Sequence, residues 1–349
     1  MGRGQTLRLL ARLSGFAREG APRVADETLA DAAFTEQIAP LLGARIVRGE
    51  LEGEPRARTR LVQAYLACLA TDEWAAAARA PLLAALRRRG IPTMLLKGGA
   101  LVRTVYVGPG RRLMADLDLL VPTPWWAEAQ VALAAAGGVL QPALTLASGS
   151  RFYHERTYRT RAGALIDLHR TVTAWPLFRI DHAAMFARAL MVEEGAVGLL
   201  VPAPEDLFIS LVVHAAQDGY ALPLRAVIDG MALAASGTLD SAALVARARE
   251  WGAARATATW LHVLLAHGLE PSPWAEVAAA LAGQAAARAA ADLPHPVPRD
   301  TRSEAAGRWN ARWQLVRAHD APARPLVFLA YRAALRAGDR VRARLPHLR

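Results

Sequence analysis

Three apolar runs too short for helices constrain this chain most. They span 93–96, 117–121 and 164–169, the length of strands. Each is marked by residues a plain core strand would reject. Gly98-Gly99 follows the first, Asp116 and Asp118 open the second, and Asp167 sits inside the third. The runs lie between long stretches with helical spacing. The pattern therefore predicts an α/β fold, a small mixed β-sheet core at 91–200 flanked by N-terminal and C-terminal helical regions.

Residues 27–90 are rich in Ala and Leu, with apolar positions three and four apart, as in Leu61, Tyr65, Leu66 and Leu69. Gly90 and Pro92 stop that pattern. Helices are expected at 100–106 and 125–136, with a turn at Gly108-Pro109-Gly110 and a stop at Gly137-Gly138. A strand at 151–160 should turn through 161–163 into the run at 164–169. Helices at 204–217, 222–235, 241–251 and 253–267 follow. Pro294, Pro296 and Pro298 suggest a linker before a last amphipathic helix near Pro325. The expected regions are 1–90, 91–200, 201–292 and 293–349.

Composition narrows the class. With 349 residues, 53% hydrophobic and 21% charged, the chain can bury a large core. Cys68 is its one cysteine, which excludes an intrachain disulfide and a cysteine zinc site; it reads as a small core residue. Residues 1–20 are basic but hold no apolar run or cleavage pattern, and no stretch is long enough to span a bilayer. A cytoplasmic protein is expected. The net charge of +11 favours anionic partners. Arg324, Arg332, Arg336, Arg340, Arg342, Arg344 and Arg349 enrich the C-terminal segment. Only Phe328 and Tyr331 interleave them, a weak basis for nucleic-acid binding.

The chemistry concentrates at Asp116-Leu117-Asp118. Residues two apart on a strand share a face, so both carboxylates point one way while Leu117, Leu119 and Val121 point into the core. Adjacent carboxylates repel, and a hard divalent ion, Mg²⁺ or Mn²⁺, neutralises them. A lone carboxylate in the apolar run at Asp167 is costly to bury. Should its strand pair beside that of Asp116, three carboxylates meet, enough for two ions or for one ion and a base. Leu96-Lys97-Gly98-Gly99 has the form of a strand-to-helix phosphate cradle, with free amides at the helix start. Lys97 is the sole lysine among 42 Lys and Arg residues, a compact charge suited to a phosphate oxygen. Arg111 or Arg112 would add charge.

Other residues carry less. His169 either orients a ligand or holds a neighbouring strand. His214, Arg225 and Asp229 are candidates to face substrate, although Arg225 and Asp229, four apart, also fit a helical ion pair. His154-Glu155 lacks zincin spacing and reads as strand surface.

In Leu96 to Tyr106, Arg112 to Val121 and Ile166 to Arg170, the chain resembles the nucleotidyltransferase superfamily whose fold is shared with polymerase β. More narrowly it is similar to an uncharacterised bacterial nucleotidyltransferase family carrying Leu-Lys-Gly-Gly, Arg before Asp-x-Asp-Leu-Leu-Val, and Asp-Leu-His. His214, Leu224, Arg225 and Asp229 match its later helical part. The resemblance implies that Gly98 and Gly99 hold a triphosphate, Asp116 and Asp118 hold metal, and Asp167 is the third carboxylate. Two departures stand out: many superfamily members have Gly-Ser where this chain has Gly98-Gly99, and the gap from Gly99 to Asp116 is long. The implied reaction is nucleotidyl transfer from an NTP, ATP first among them, to an unknown acceptor hydroxyl. The alternative is a nucleotide-binding accessory or scaffold protein of a biosynthetic cluster that does not catalyse.

Overall fold

The computed structural model describes residues 3–17, 24–106, 108–142, 155–174, 176–194, 197–220, 222–281, 315–317, 319–321, 323–330 and 333–334. The expected linker at Pro294, Pro296 and Pro298 and strand residues 151–154, His154 among them, lie outside these, as does most of the basic C-terminal segment.

Among the described residues four helices lead in: α1 (Arg3–Leu13), α2 (Glu27–Thr35), α3 (Ala39–Val47) and α4 (Pro55–Arg88). Asp26 starts α2 by accepting the Leu29 N–H at 2.8 Å, which satisfies one orphan donor of the first turn. Pro55 opens α4, where a missing N–H costs nothing. Leu61 near its start and Leu82, Leu83 and Leu86 near its end are buried, and α3 and α6 (Trp126–Ala135) pack against it.

Among the described residues seven strands form one mixed sheet, in the order β5-β6-β7-β4-β3-β9-β8. They are β3 (Met94–Leu95), β4 (Asp116–Leu120), β5 (Val139–Leu140), β6 (Glu155–Arg159), β7 (Leu165–His169), β8 (Leu190–Glu194) and β9 (Val197–Val201). A separate parallel pair joins β1 (Val24–Ala25) to β2 (Glu52–Gly53). Strands β4 and β7 run parallel, and each has an antiparallel neighbour, β3 and β6 respectively. Leu95, Leu117, Leu119, Ile166 and Leu168 form the buried face of the sheet. Helix α5 (Lys97–Thr104) packs on β4 and on α8 (Pro204–Gln217). Then come α9 (Leu224–Ala235), α10 (Ser241–Glu250) and α11 (Ala254–Ala266), close to the expected helices. A shorter helix, His182–Ala187, becomes α7.

Local departures have local causes. The glycine pair does not separate strand from helix; it forms part of the first turn of α5. The break comes one residue earlier, at Lys97, which has φ +43°. The β8–β9 hairpin had no strand assignment from the pattern, because Leu190, Met191 and Val192 are contiguous apolar residues rather than an alternating set.

Candidate active site

Alternation and register bring the acidic residues to one face. Asp116 and Asp118 are two apart on β4, and Asp118 stands directly across from Asp167 on β7. On the next strand Thr157 faces Asp167, and Glu155 faces His169. Side chains at registered positions of adjacent strands lie on the same side of the sheet.

Asp118 is the electrostatic centre. Its Oδ1 accepts from Lys97 Nζ at 2.7 Å and lies 2.9 Å from His169 Nε2. Burial alone would raise its pKa, but Lys97 and His169 hold it far below the usual carboxylate range. Burial also works against the Lys97 ammonium, yet Asp118, with Glu155 and Asp116 behind it, raises its pKa. His169 Nδ1 lies 3.5 Å from Glu155 Oε2, so the ring is held between two carboxylates.

The other two aspartates differ. Burial, then repulsion from Asp118, raises the pKa of Asp116 against the pull of Lys97 and Arg79. Burial raises that of Asp167, opposed by a hydrogen bond from Thr157 and reinforced by Asp116 and Asp118. Asp167 Oδ1 is buried with no hydrogen-bond partner among the described residues. Within the same set no group of three or more His, Cys, Asp and Glu side chains is placed to hold a metal ion by itself.

Beside the aspartates, the glycine pair is explained first by packing. A Cβ on Gly98 would meet Arg112 Nη1 at 2.0 Å, and one on Gly99 would meet Leu117 Cδ1 at 2.9 Å. Arg112 is fixed there by Asp229. Its Nε donates to Oδ1 at 2.9 Å and its Nη2 to Oδ2 at 2.8 Å, and Tyr106 Oη donates to Oδ1 at 2.8 Å. Both ions of this pair are under 10% exposed. Burial disfavours the guanidinium, and Asp229 overrides it.

A cavity of about 440 Å³ opens at this place. Lys97, Gly98, Arg112, Asp116, Asp118, His214, Arg225 and Asp229 contribute to its wall. Gly99, Asp167 and His169 do not: Gly99 turns to the sheet, and His169 is 1% exposed beneath Asp118. His214 has its pKa lowered by burial and then by Lys97, with Asp218 Oδ2 3.8 Å from its Nε2. The helical ion pair expected of Arg225 and Asp229 does not form. Asp229 is taken by Arg112, and Arg225 Nη1 donates to Leu113 O at 2.6 Å.

Comparison with known proteins now decides the family: residues 22–268 match the one described as uncharacterised nucleotidyltransferase. The chain belongs to that nucleotidyltransferase family. The match takes in α2 through α11, the whole sheet and every residue of the cavity. Among curated proteins no relative matches. Among solved structures, that of the antibiotic-resistance factor ANT(2'')-Ia is 17% identical over 50% of this chain and 90% of its own, with a TM-score of 0.36. That likeness is too low to carry an argument. No helix among the described residues is long and apolar enough to cross a membrane.

Several parts of this candidate site carry no signal of their own in the sequence. Glu155 and Thr157 fall opposite His169 and Asp167, and the alternation of β6 combined with the 161–163 turn would have placed them. Tyr106 carried no signal. Arg79, 5% exposed on α4, donates from Nε to Leu165 O at 2.9 Å beside Asp116; its place in an alanine-rich helix hid it. Gln37 joins the cavity wall from the α2–α3 junction, a contact no local pattern encodes. Cys68 is buried as expected, and burial, then Asp72, pushes its thiol up to about 12.

Proposed function

We propose that this transferase moves a nucleotidyl group from an NTP to an acceptor hydroxyl with a divalent ion, Mg²⁺ or Mn²⁺. The observation that carries the reading is the pair Asp116 and Asp118, side by side on β4 and facing a cavity that also holds Lys97 and Gly98. The donors suit a hard cation. The Asp116 carboxylate makes no hydrogen bond within the described residues, and both contacts to Asp118 fall on Oδ1, leaving Oδ2 for a ligand.

In this reading Asp116 and Asp118 hold the ion, which when bound neutralises charge on the phosphates. Gly98 and Gly99 offer the backbone amides of the first turn of α5 to phosphate oxygens, and Lys97 adds a point charge. Arg112 holds that turn in place from beneath. His169, braced by Glu155, fixes the orientation of Asp118. Asp167 stands across from Asp118 outside the cavity wall; in this reading the acceptor hydroxyl enters beside it and gives up its proton there. The acceptor oxygen forms its bond to the α-phosphorus as the bond to the β-phosphate oxygen breaks, and pyrophosphate leaves. His214 and Arg225 face the substrate from the helical side, with Asp229 holding Arg112.

Asp116→Ala should abolish NTP turnover while the melting temperature stays close to that of the parent; undiminished pyrophosphate release in that variant refutes the assignment. The direct pairing of Lys97 with Asp118 favours one other reading, a protein that binds nucleotide without turning it over. Calorimetry with ATP and Mg²⁺, followed by a pyrophosphate-release assay, separates the two.

A further inference from the structure

Backbone strain points to a residue outside the carboxylate machinery. Among the described residues three non-glycine positions have φ in the left-handed region: Gln37 at +61°, Lys97 at +43° and Tyr220 at +59°. Any residue with a Cβ pays for that conformation, and it persists only where the surroundings impose it. Lys97 and Tyr220 use their side chains within the protein. Lys97 binds Asp118, while Tyr220 stacks on Trp260 and reaches Ala256 O. Gln37 does not. Its side-chain amide makes no hydrogen bond to a described residue, and Gln37 belongs to the wall of the cavity that Lys97 also lines.

The flanks explain how the strain is held. Glu36 is buried, and its carboxylate accepts the Leu224 N–H at 2.8 Å while its carbonyl accepts the Arg225 N–H at 3.2 Å. Ile38 is buried and donates its N–H to Ala33 O at 2.9 Å. Gln37 is thus pinned against the first turn of α9. Glycine would satisfy that backbone with less strain, so the amide is what sets this residue apart.

Its position along α9 indicates which part of a ligand it meets. Arg225 marks the Gln37 end. Asp229, one turn further and so about 6 Å along the axis, holds Arg112 under Gly98. Phosphates at Lys97 and Gly98 leave the nucleoside to extend toward the other end. There Leu222 and Pro223 give apolar wall beside Arg225 and the free side-chain amide of Gln37. An apolar surface beside an amide that offers both a donor and an acceptor suits a nucleobase, whose edge presents the complementary pair.

We infer that Gln37 is the specificity-determining residue that reads the nucleobase edge of the NTP. The inference rests on the nucleotide reading of the cavity given above.

The test is calorimetry of the full chain with Mg²⁺ and, separately, ATP, GTP, CTP, UTP and inorganic tripolyphosphate, for the parent and for Gln37→Gly. The parent should prefer one NTP over the weakest by about tenfold or more, the scale of a paired hydrogen-bond contact. Gln37→Gly, which relieves the backbone, should melt no lower than the parent and bind tripolyphosphate equally well. It should bind all four NTPs within about threefold of one another, having lost that contact. Retained preference in Gln37→Gly, or an equal loss for tripolyphosphate, overturns the inference. A parent that binds tripolyphosphate and every NTP alike also overturns it but leaves the phosphate site standing. A parent that binds neither NTP nor tripolyphosphate removes the nucleotide reading itself.

Discussion

Gly98→Ala tests whether the glycine pair serves the fold or only a ligand. The added methyl would sit 2.0 Å from Arg112 Nη1, 2.9 Å from Cζ and 3.2 Å from Met114 Cγ. Ordinary contact is about 3.5 Å, so the guanidinium must retreat by about 1.5 Å. It has no room to do so while keeping bonds of 2.9 and 2.8 Å to Asp229. Breaking one partner away from a buried ion pair costs about 3–5 kcal/mol. Alanine returns up to about 1 kcal/mol of helix propensity, leaving a net loss of about 2–4 kcal/mol. At about 2 °C per kcal/mol for a chain of this size, the melting temperature should fall by about 4–8 °C. Gly99→Ala meets only the methyl groups of Leu117 and Leu95 and should cost less, about 1–2 kcal/mol. Calorimetric melting and urea titration read both. On an Arg112→Met background the Gly98→Ala loss should shrink, because the two sites share one interaction. An unchanged melting temperature for Gly98→Ala refutes the packing argument. If binding of tripolyphosphate is lost as well, the glycine is there for the ligand.

Two further outcomes follow from the charges. Lys97→Gln removes the ammonium that sits 2.7 Å from Asp118, so Mn²⁺ binding without nucleotide, followed by paramagnetic relaxation, should tighten by at least about tenfold while NTP binding weakens. Weaker Mn²⁺ binding would contradict competition between the ammonium and the ion. His182 has its pKa lowered to about 4 by burial, against a smaller upward pull from Asp181, and its Nε2 accepts the Val172 N–H at 3.1 Å. The unfolded chain protonates this group near pH 6.5, so it binds more protons than the folded chain between about pH 6.5 and 4. Stability should therefore fall as the pH drops through that range, by up to about 3 kcal/mol, and level off below it. His182→Gln, followed by urea denaturation across that range, should flatten the slope; an unaltered slope assigns it to other groups.

The short apolar runs and the helical periodicities could be read without coordinates, because side-chain direction repeats every two residues in a strand and every 3.6 in a helix. That alone placed Asp116 and Asp118 on one face and Leu117 and Leu119 on the other. Helix α5 starts three residues before the expected position, because the backbone breaks at Lys97, with its positive φ, rather than at the glycine pair.

Everything that joins distant segments belonged to the tertiary structure. The parallel pairing of β4 with β7 sets Asp118 across from Asp167, and no local signal states that register. Arg112 and Asp229 are separated by 117 residues, so neither could be known to spend its charge on the other. Gln37 enters the cavity only because Glu36 docks on the start of α9. The chain's own order determined which residues share an element and a face. Which of those faces meet was decided by packing, because contact energies act through space between groups that chain order leaves far apart.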